Sequence, residues 1–182
     1  MGSDFDDRMQ ENCNKFYDVL DVLVTDDIDA LDALKTKVDN FPNGQDSFTE
    51  RHWITNAIGS GSLASVQWMV DQHVNLDFKD DEGWTVCMSS IDRDREDRHD
   101  ILKILISAGA DVNIRGAETC TPLHWAARRN DHKAIDILLA AGADPTIRTE
   151  IDEYATPEEE ARIVGRSETA DYIKKSLEER QK

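Results

Sequence analysis

Apolar residues fall at helical spacing in short bursts separated by polar turns. The clearest burst is Ile135, Leu138 and Leu139, which share one face of a predicted helix closed by Ala141-Gly142-Ala143-Asp144. Just before it, Thr121-Pro122-Leu123-His124-Trp125-Ala126-Ala127 predicts a shorter helix opened by Thr-Pro. Neither helix can bury its apolar side alone, so the unit needs neighbours of its own kind.

The chain supplies them. Ser107-Ala108-Gly109-Ala110-Asp111 matches Ala140 to Asp144, and Gly109 and Gly142 stand 33 residues apart. Thr85 answers to Thr121 at a separation of 36, so three extra residues lie within Asp92-Arg93-Asp94-Arg95-Glu96-Asp97-Arg98. Upstream, His52 precedes Thr85 by 33, and Val66, Met69 and Val70 take the places of Leu102, Leu105 and Ile106. Phe16, Val19, Leu20 and Leu23, then Leu31, Leu34 and Val38, predict a helical pair over residues 5–40, broken at Phe41-Pro42-Asn43-Gly44. Thr156-Pro157 opens a last pair, with Glu158, Glu159 and Glu160 in the first turn and an end that frays from Glu178. The expected organisation is one all-α domain over 1–182: an N-terminal capping pair (5–46), repeats at 47–79, 80–115 (with the insertion) and 116–148, and a C-terminal cap (149–182).

The Thr-Pro-Leu-His-x-Ala-Ala heptapeptide, the two Gly-Ala-Asp closures and the period resemble the ankyrin-repeat family. The resemblance implies an all-α ankyrin-repeat solenoid of about five helix pairs with short protruding turns. It also implies partner binding through those turns and the concave face of the first helices. The positions matching those places are Phe48, Thr49 and Arg51; Asp81, Glu82 and Trp84; Ala117, Glu118 and Cys120; and, at the ends of first helices, Asp92, Arg93, Arg128 and Arg129. Three departures stand out. Thr119 replaces a turn glycine, Val86-Cys87-Met88 replaces Pro-Leu-His, and His73 replaces the closing glycine.

Charge narrows the partner class. Thirty-eight acids against 21 bases leave a net charge of −17, spread along the chain. Such a surface disfavours nucleic acid and anionic lipid, and it favours a basic protein or serves solubility alone. No run of eighteen apolar residues is present, and the N-terminus lacks the basic start and apolar run of a signal peptide. Asp6 stands where a myristoylation motif beginning Met1-Gly2 wants Ser or Thr. Cys13, Cys87 and Cys120 show neither even pairing nor CxxC spacing, which points to a reducing, cytoplasmic setting.

A search for chemistry finds little. No phosphate loop, His-Glu-x-x-His or Gly-x-Ser-x-Gly is present, and Gly59-Ser60-Gly61-Ser62 falls at an inter-helix turn. None of the five histidines pairs with a cysteine at zinc spacing, so no catalytic residue, metal or cofactor is expected. The resemblance gives His124 a structural role, bonding backbone of the neighbouring turn. Cys87 and Cys120 read as small apolar fillers, Trp125 as core, and Trp68 as packing on the outer helices. Trp84, beside Asp81 and Glu82, is either an interface anchor or packing on the next turn. The Asp92–Arg98 insertion is either a self-paired loop or, with Arg128 and Arg129, a basic island for a carboxylate-bearing partner.

The resulting expectation is a non-enzymatic binding protein, monomeric when free, that inhibits or neutralises a basic protein such as a toxin, nuclease or nucleic-acid-binding protein. The alternative is an adaptor that recognises a peptide or helix through Trp84 and the arginine rim. A bacterial effector is compatible with the fold, although no residue argues for one.

Overall fold

The structure, a computed structural model, describes residues 3–150 and 154–180, with side chains from residue 6 onward. The chain divides into two compact units, Met1–Asn75 and Leu76–Lys182.

Unit 1 contains α1 (Ser3–Leu23), α2 (Ile28–Leu34), α3 (Trp53–Ser60) and α4 (Leu63–Asp71). The first helices α1 and α3 pack together, as do the second helices α2 and α4, giving two layers. Val19, Leu23, Leu31, Ile54, Ala57, Ile58, Val66 and Met69 form the interior between them. Asp27 caps α2 by accepting the Ala30 N–H at 2.9 Å, and Ser62 caps α4 by accepting the Ser65 N–H at 3.1 Å. The second helix is shorter than its periodicity predicts. It stops at Leu34 and passes into turns, so Val38 lies outside it. After these turns Phe41 is buried, stacked on Trp68 at 5.7 Å and edge-on to Trp53 at 5.6 Å. Trp68 thus packs on the second-helix layer, and Lys35 covers its outer face.

Unit 2 repeats the arrangement three times with α5 (Val86–Asp92) and α6 (Arg98–Ser107), α7 (Pro122–Arg128) and α8 (His132–Ala140), and α9 (Pro157–Ile163) and α10 (Ser167–Arg180). Each pair is an αα-hairpin joined by a short link. The first helices α5, α7 and α9 form one layer and the second helices α6, α8 and α10 the other. Ile91, Ile101, Leu102, Leu105, Leu123, Ala126, Ile135, Leu138, Ala161 and Ile173 fill the space between. Thr156 and Glu159 form a reciprocal capping box on α9. The last helix continues unbroken to Arg180 instead of fraying from Glu178.

Two of the three departures from the repeat pattern, His73 and Thr119, keep the backbone conformation of the glycine they replace. His73 takes a left-handed φ of 57° at the end of α4, the place where Gly109 and Gly142 take φ of 100° and 88°. Likewise Glu50, Gly83, Thr119 and Tyr154 all have positive φ two residues before the N-cap of a first helix, and only one of them is glycine. A side chain in this conformation is strained by about 1 kcal/mol. His73→Gly is therefore expected to raise stability by about 1 kcal/mol, and Gly142→Ala, in open space but at positive φ, to lower it by a similar amount. Urea unfolding midpoints of the two variants test this; a shift of His73→Gly to lower urea would contradict it.

Candidate protein-binding surface

The protruding turns are built alike in both units. In unit 1 the Asp46 N–H donates to the Arg51 carbonyl at 2.8 Å. In unit 2 the Asp80 N–H donates to Trp84 O at 3.0 Å, Gly116 N–H to Cys120 O at 2.7 Å, and Thr149 N–H to Ala155 O at 3.0 Å. Aspartates brace the first two. The Asp46 carboxylate accepts the Phe48 N–H at 2.9 Å, both the N–H and the hydroxyl of Thr49 at 2.5 Å, and the Asn56 amide at 3.0 Å. Burial pushes this carboxyl up, but the Thr49, Asn56 and Phe48 donors outweigh it and hold it below the ordinary aspartate value. Asp80 likewise accepts the N–H groups of Glu82 at 3.1 Å and Trp84 at 2.7 Å. Neither aspartate stood out in the sequence; the available signal was an Asp six and five residues before the N-caps His52 and Thr85, placed to accept the N–H two residues on as in an Asx turn. Gly116 allows its turn to approach the preceding one, since a Cβ there would lie 2.6 Å from both Gly83 O and Met88 Sδ.

The turns of unit 2 display Asp81, Glu82 and Glu118 in solvent. Beside them Trp84, half-buried, packs edge-on against Trp125 with centroids 4.7 Å apart. The Arg128 guanidinium lies over the Trp125 ring at 5.3 Å, bonds Glu118 and reaches Glu160 at 3.6 Å. Arg129 pairs with Asp92 at 2.6 Å.

A family model described as ankyrin repeats, in three copies, matches residues 52–149, more than half of the chain. The chain belongs to the ankyrin-repeat family. No curated protein matches it. Ankyrin repeats are a non-enzymatic fold for binding other proteins.

Several sequence expectations need correction at this level of detail. Trp125 is not in the core of the repeat: it is half-buried and shares a face with Trp84, because the first helix turns this position toward the neighbouring turn. Arg93 is not an exposed rim contact. Its side chain is 1% exposed and grips Asp97 through Nε at 2.9 Å and Nη2 at 3.1 Å, closing the insertion on itself. The other insertion arginines are also engaged, Arg95 with Asp97 at 3.6 Å and Arg98 with Asp131 at 3.1 Å. With Arg128 and Arg129 paired to acids as well, the expected basic island is internally neutralised. Phe48 and Arg51 lie exposed in unit 1, at the first turn.

His124 is fully buried in the ankyrin repeat. Its Nδ1 accepts the Thr121 N–H at 3.2 Å, so Nε2 carries the proton and donates to the Ala155 carbonyl at 3.0 Å. Burial holds its pKa below the ordinary histidine value. The Cys87 thiol is pushed up to about 12 and that of Cys120 to about 11, both by burial, so each stays protonated and packs as a small apolar group. Among the described residues, no three His, Cys, Asp or Glu side chains converge to hold a metal. No described helix is long and apolar enough to cross a membrane.

Proposed function

We propose that this ankyrin protein binds a basic protein through the turn tips and first-helix face of unit 2 and neutralises it by covering its cationic site. The observation that carries the proposal is the row of exposed acids, Asp81, Glu82 and Glu118, beside the half-buried Trp84–Trp125 pair. For this reading the acids supply the steering and the attraction, and the aromatic pair is a bystander that only the second reading uses as an anchor. Pairing with Glu118 and Asp92 keeps Arg128 and Arg129 from forming a cationic island that would repel a basic partner, and it leaves Asp81 and Glu82 as the main acids of the row. Exposed ion pairs such as Arg129–Asp92 contribute little to stability, so a partner's lysine or arginine can replace the internal arginine with little loss.

A second reading, an adaptor holding a peptide or helix, is favoured by the Trp84–Trp125 geometry itself. The two readings separate in one experiment. Partners are captured from native lysate at low and high salt with wild type and with Trp84→Ala, and association rates are measured on the recovered partner. Neutralisation predicts a basic partner whose association slows about tenfold or more as salt screens the acids, with Trp84→Ala nearly normal. An adaptor predicts weak salt dependence and about a tenfold or greater loss of affinity with Trp84→Ala. Recovery of acidic or neutral partners alone would exclude the first reading.

A further inference from the structure

Unit 1 carries an apolar face that its own helices leave uncovered. Met9 and Tyr17 on α1, and Val24 just past its end, are 48%, 55% and 55% exposed. A spacing of eight residues sets Met9 and Tyr17 toward one broad side of α1, and Val24 follows in the turn where the helix ends. Phe48, 39% exposed at the tip of the first turn, joins them, its ring 5.4 Å from Phe16 and 6.4 Å from Tyr17. The base beneath is packed. Phe16 is buried and stacks on Trp53 at 6.2 Å, and the Asn12 amide donates to Ser47 O at 3.3 Å, tying the turn to α1. Exposed apolar side chains grouped on a rigid base and rimmed by polar residues mark a contact surface.

The rim decides the occupant. Asp18 and Asp21 on α1 and Glu50 on the turn are exposed, and residues 1–75 hold fourteen acids against five bases. A second copy of the chain would bring the same acids to the rim, and an anionic lipid surface would be repelled by them. A helix with an apolar stripe flanked by lysine or arginine satisfies both the rings and the rim. We propose that the Tyr17–Phe48 face of unit 1 docks a basic amphipathic helix of a partner protein. This surface belongs to unit 1 and the turn acids and tryptophans to unit 2, and neither proposal depends on the other.

The test uses the full chain and a labelled synthetic helix of about 18 residues, with leucine along one face and lysine on the other. Its control is a peptide of the same composition scrambled to destroy the face. The amphipathic peptide is expected to bind, the scrambled one about tenfold more weakly, and the Tyr17→Ser/Phe48→Ser double variant to lose about tenfold in affinity. Both side chains are exposed, so the melting temperature is expected to stay near that of wild type; Tyr17→Ser alone serves if the double variant melts early. Equal binding of the scrambled peptide, or unchanged affinity in the variants, would overturn the proposal, the first by reducing binding to bulk charge. A loss of peptide affinity in Trp84→Ala would move the site to unit 2 and overturn it too. Sedimentation of the free chain completes the test: concentration-dependent dimerisation abolished by Tyr17→Ser would assign the face to a second copy instead.

Discussion

His124→Ala is expected to lower folding stability by about 3 kcal/mol, through a cavity and two lost buried hydrogen bonds. The imidazole occupies a fully buried site and joins two successive repeats of unit 2. On one side it caps α7 by taking the Thr121 N–H; on the other it donates to Ala155 O, next to the N-cap of α9. Alanine removes both links, leaving the Thr121 N–H without this acceptor and the Ala155 carbonyl with the Thr149 N–H alone. Glutamine restores the first, because Gln at the third helical position can reach back to the N-cap as Glu159 does to Thr156 in α9. His124→Gln is therefore expected to recover about half of the loss. The pH dependence carries a second signature. Burial keeps His124 neutral in the folded state, with its pKa below the ordinary histidine value of 6.5, while the unfolded chain takes up a proton near that value. Its contribution is full above 6.5 and declines as pH falls from 6.5 through the folded pKa. Urea titrations at neutral pH and near pH 5 measure both effects; a wild type minus His124→Gln difference that does not shrink on acidification would remove the pH argument.

Asp131→Ala is expected to cost about 3 kcal/mol as well, for an electrostatic reason. The carboxylate is buried at the start of α8, where it accepts the Ala134 N–H at 3.0 Å. It also receives Arg98 Nε at 3.1 Å and His99 Nε2 at 2.8 Å from the preceding repeat. Burial pushes the Asp131 carboxyl up, and the Ala134 N–H, His99 and Arg98 together bring it below the ordinary aspartate value. A carboxyl with a lowered folded pKa stabilises above its unfolded value, near 3.8, and the contribution is lost as pH falls through the folded pKa. Alanine removes the helix cap and leaves Arg98 and His99, both partly buried, without this carboxylate. Asn keeps the cap and one acceptor, so Asp131→Asn is expected to lose only about 1–2 kcal/mol. Acid unfolding monitored by helical circular dichroism discriminates: wild type should lose its advantage over Asp131→Ala below pH 4 or so, and a constant gap down to pH 2 would show that the group acts by packing alone.

Much of the fold was legible because repeat periodicity is local information written three times. The N-cap positions His52, Thr85, Thr121 and Thr156 and the apolar faces of the second helices follow from spacing and, at the three threonines, from side chains suited to helix starts. The role of His124 was legible through the family resemblance, and its partners agree with that reading. The candidate surface was legible only as a set of positions. Spacing placed Arg93, Arg128 and Arg129 at the ends of first helices, but spacing does not say which acid each will meet.

The sequence by itself determined the helix pairs, their register, the acidic field and the positions of the turns. Each depends on residues within one repeat, where backbone geometry converts spacing into a face or a cap. Only the tertiary structure decided that Arg93 is buried against Asp97, that Asp131 gathers Arg98 and His99, and that Trp84 meets Trp125. It also decided that Tyr17 and Phe48 share an uncovered face and that His73 and Thr119 hold left-handed backbone. Apart from the Arg93–Asp97 pair and the backbone angles, these contacts join residues about thirty or more positions apart. Such partners are chosen by which side chains packing brings within hydrogen-bond or van der Waals reach, and no one-dimensional period encodes that choice.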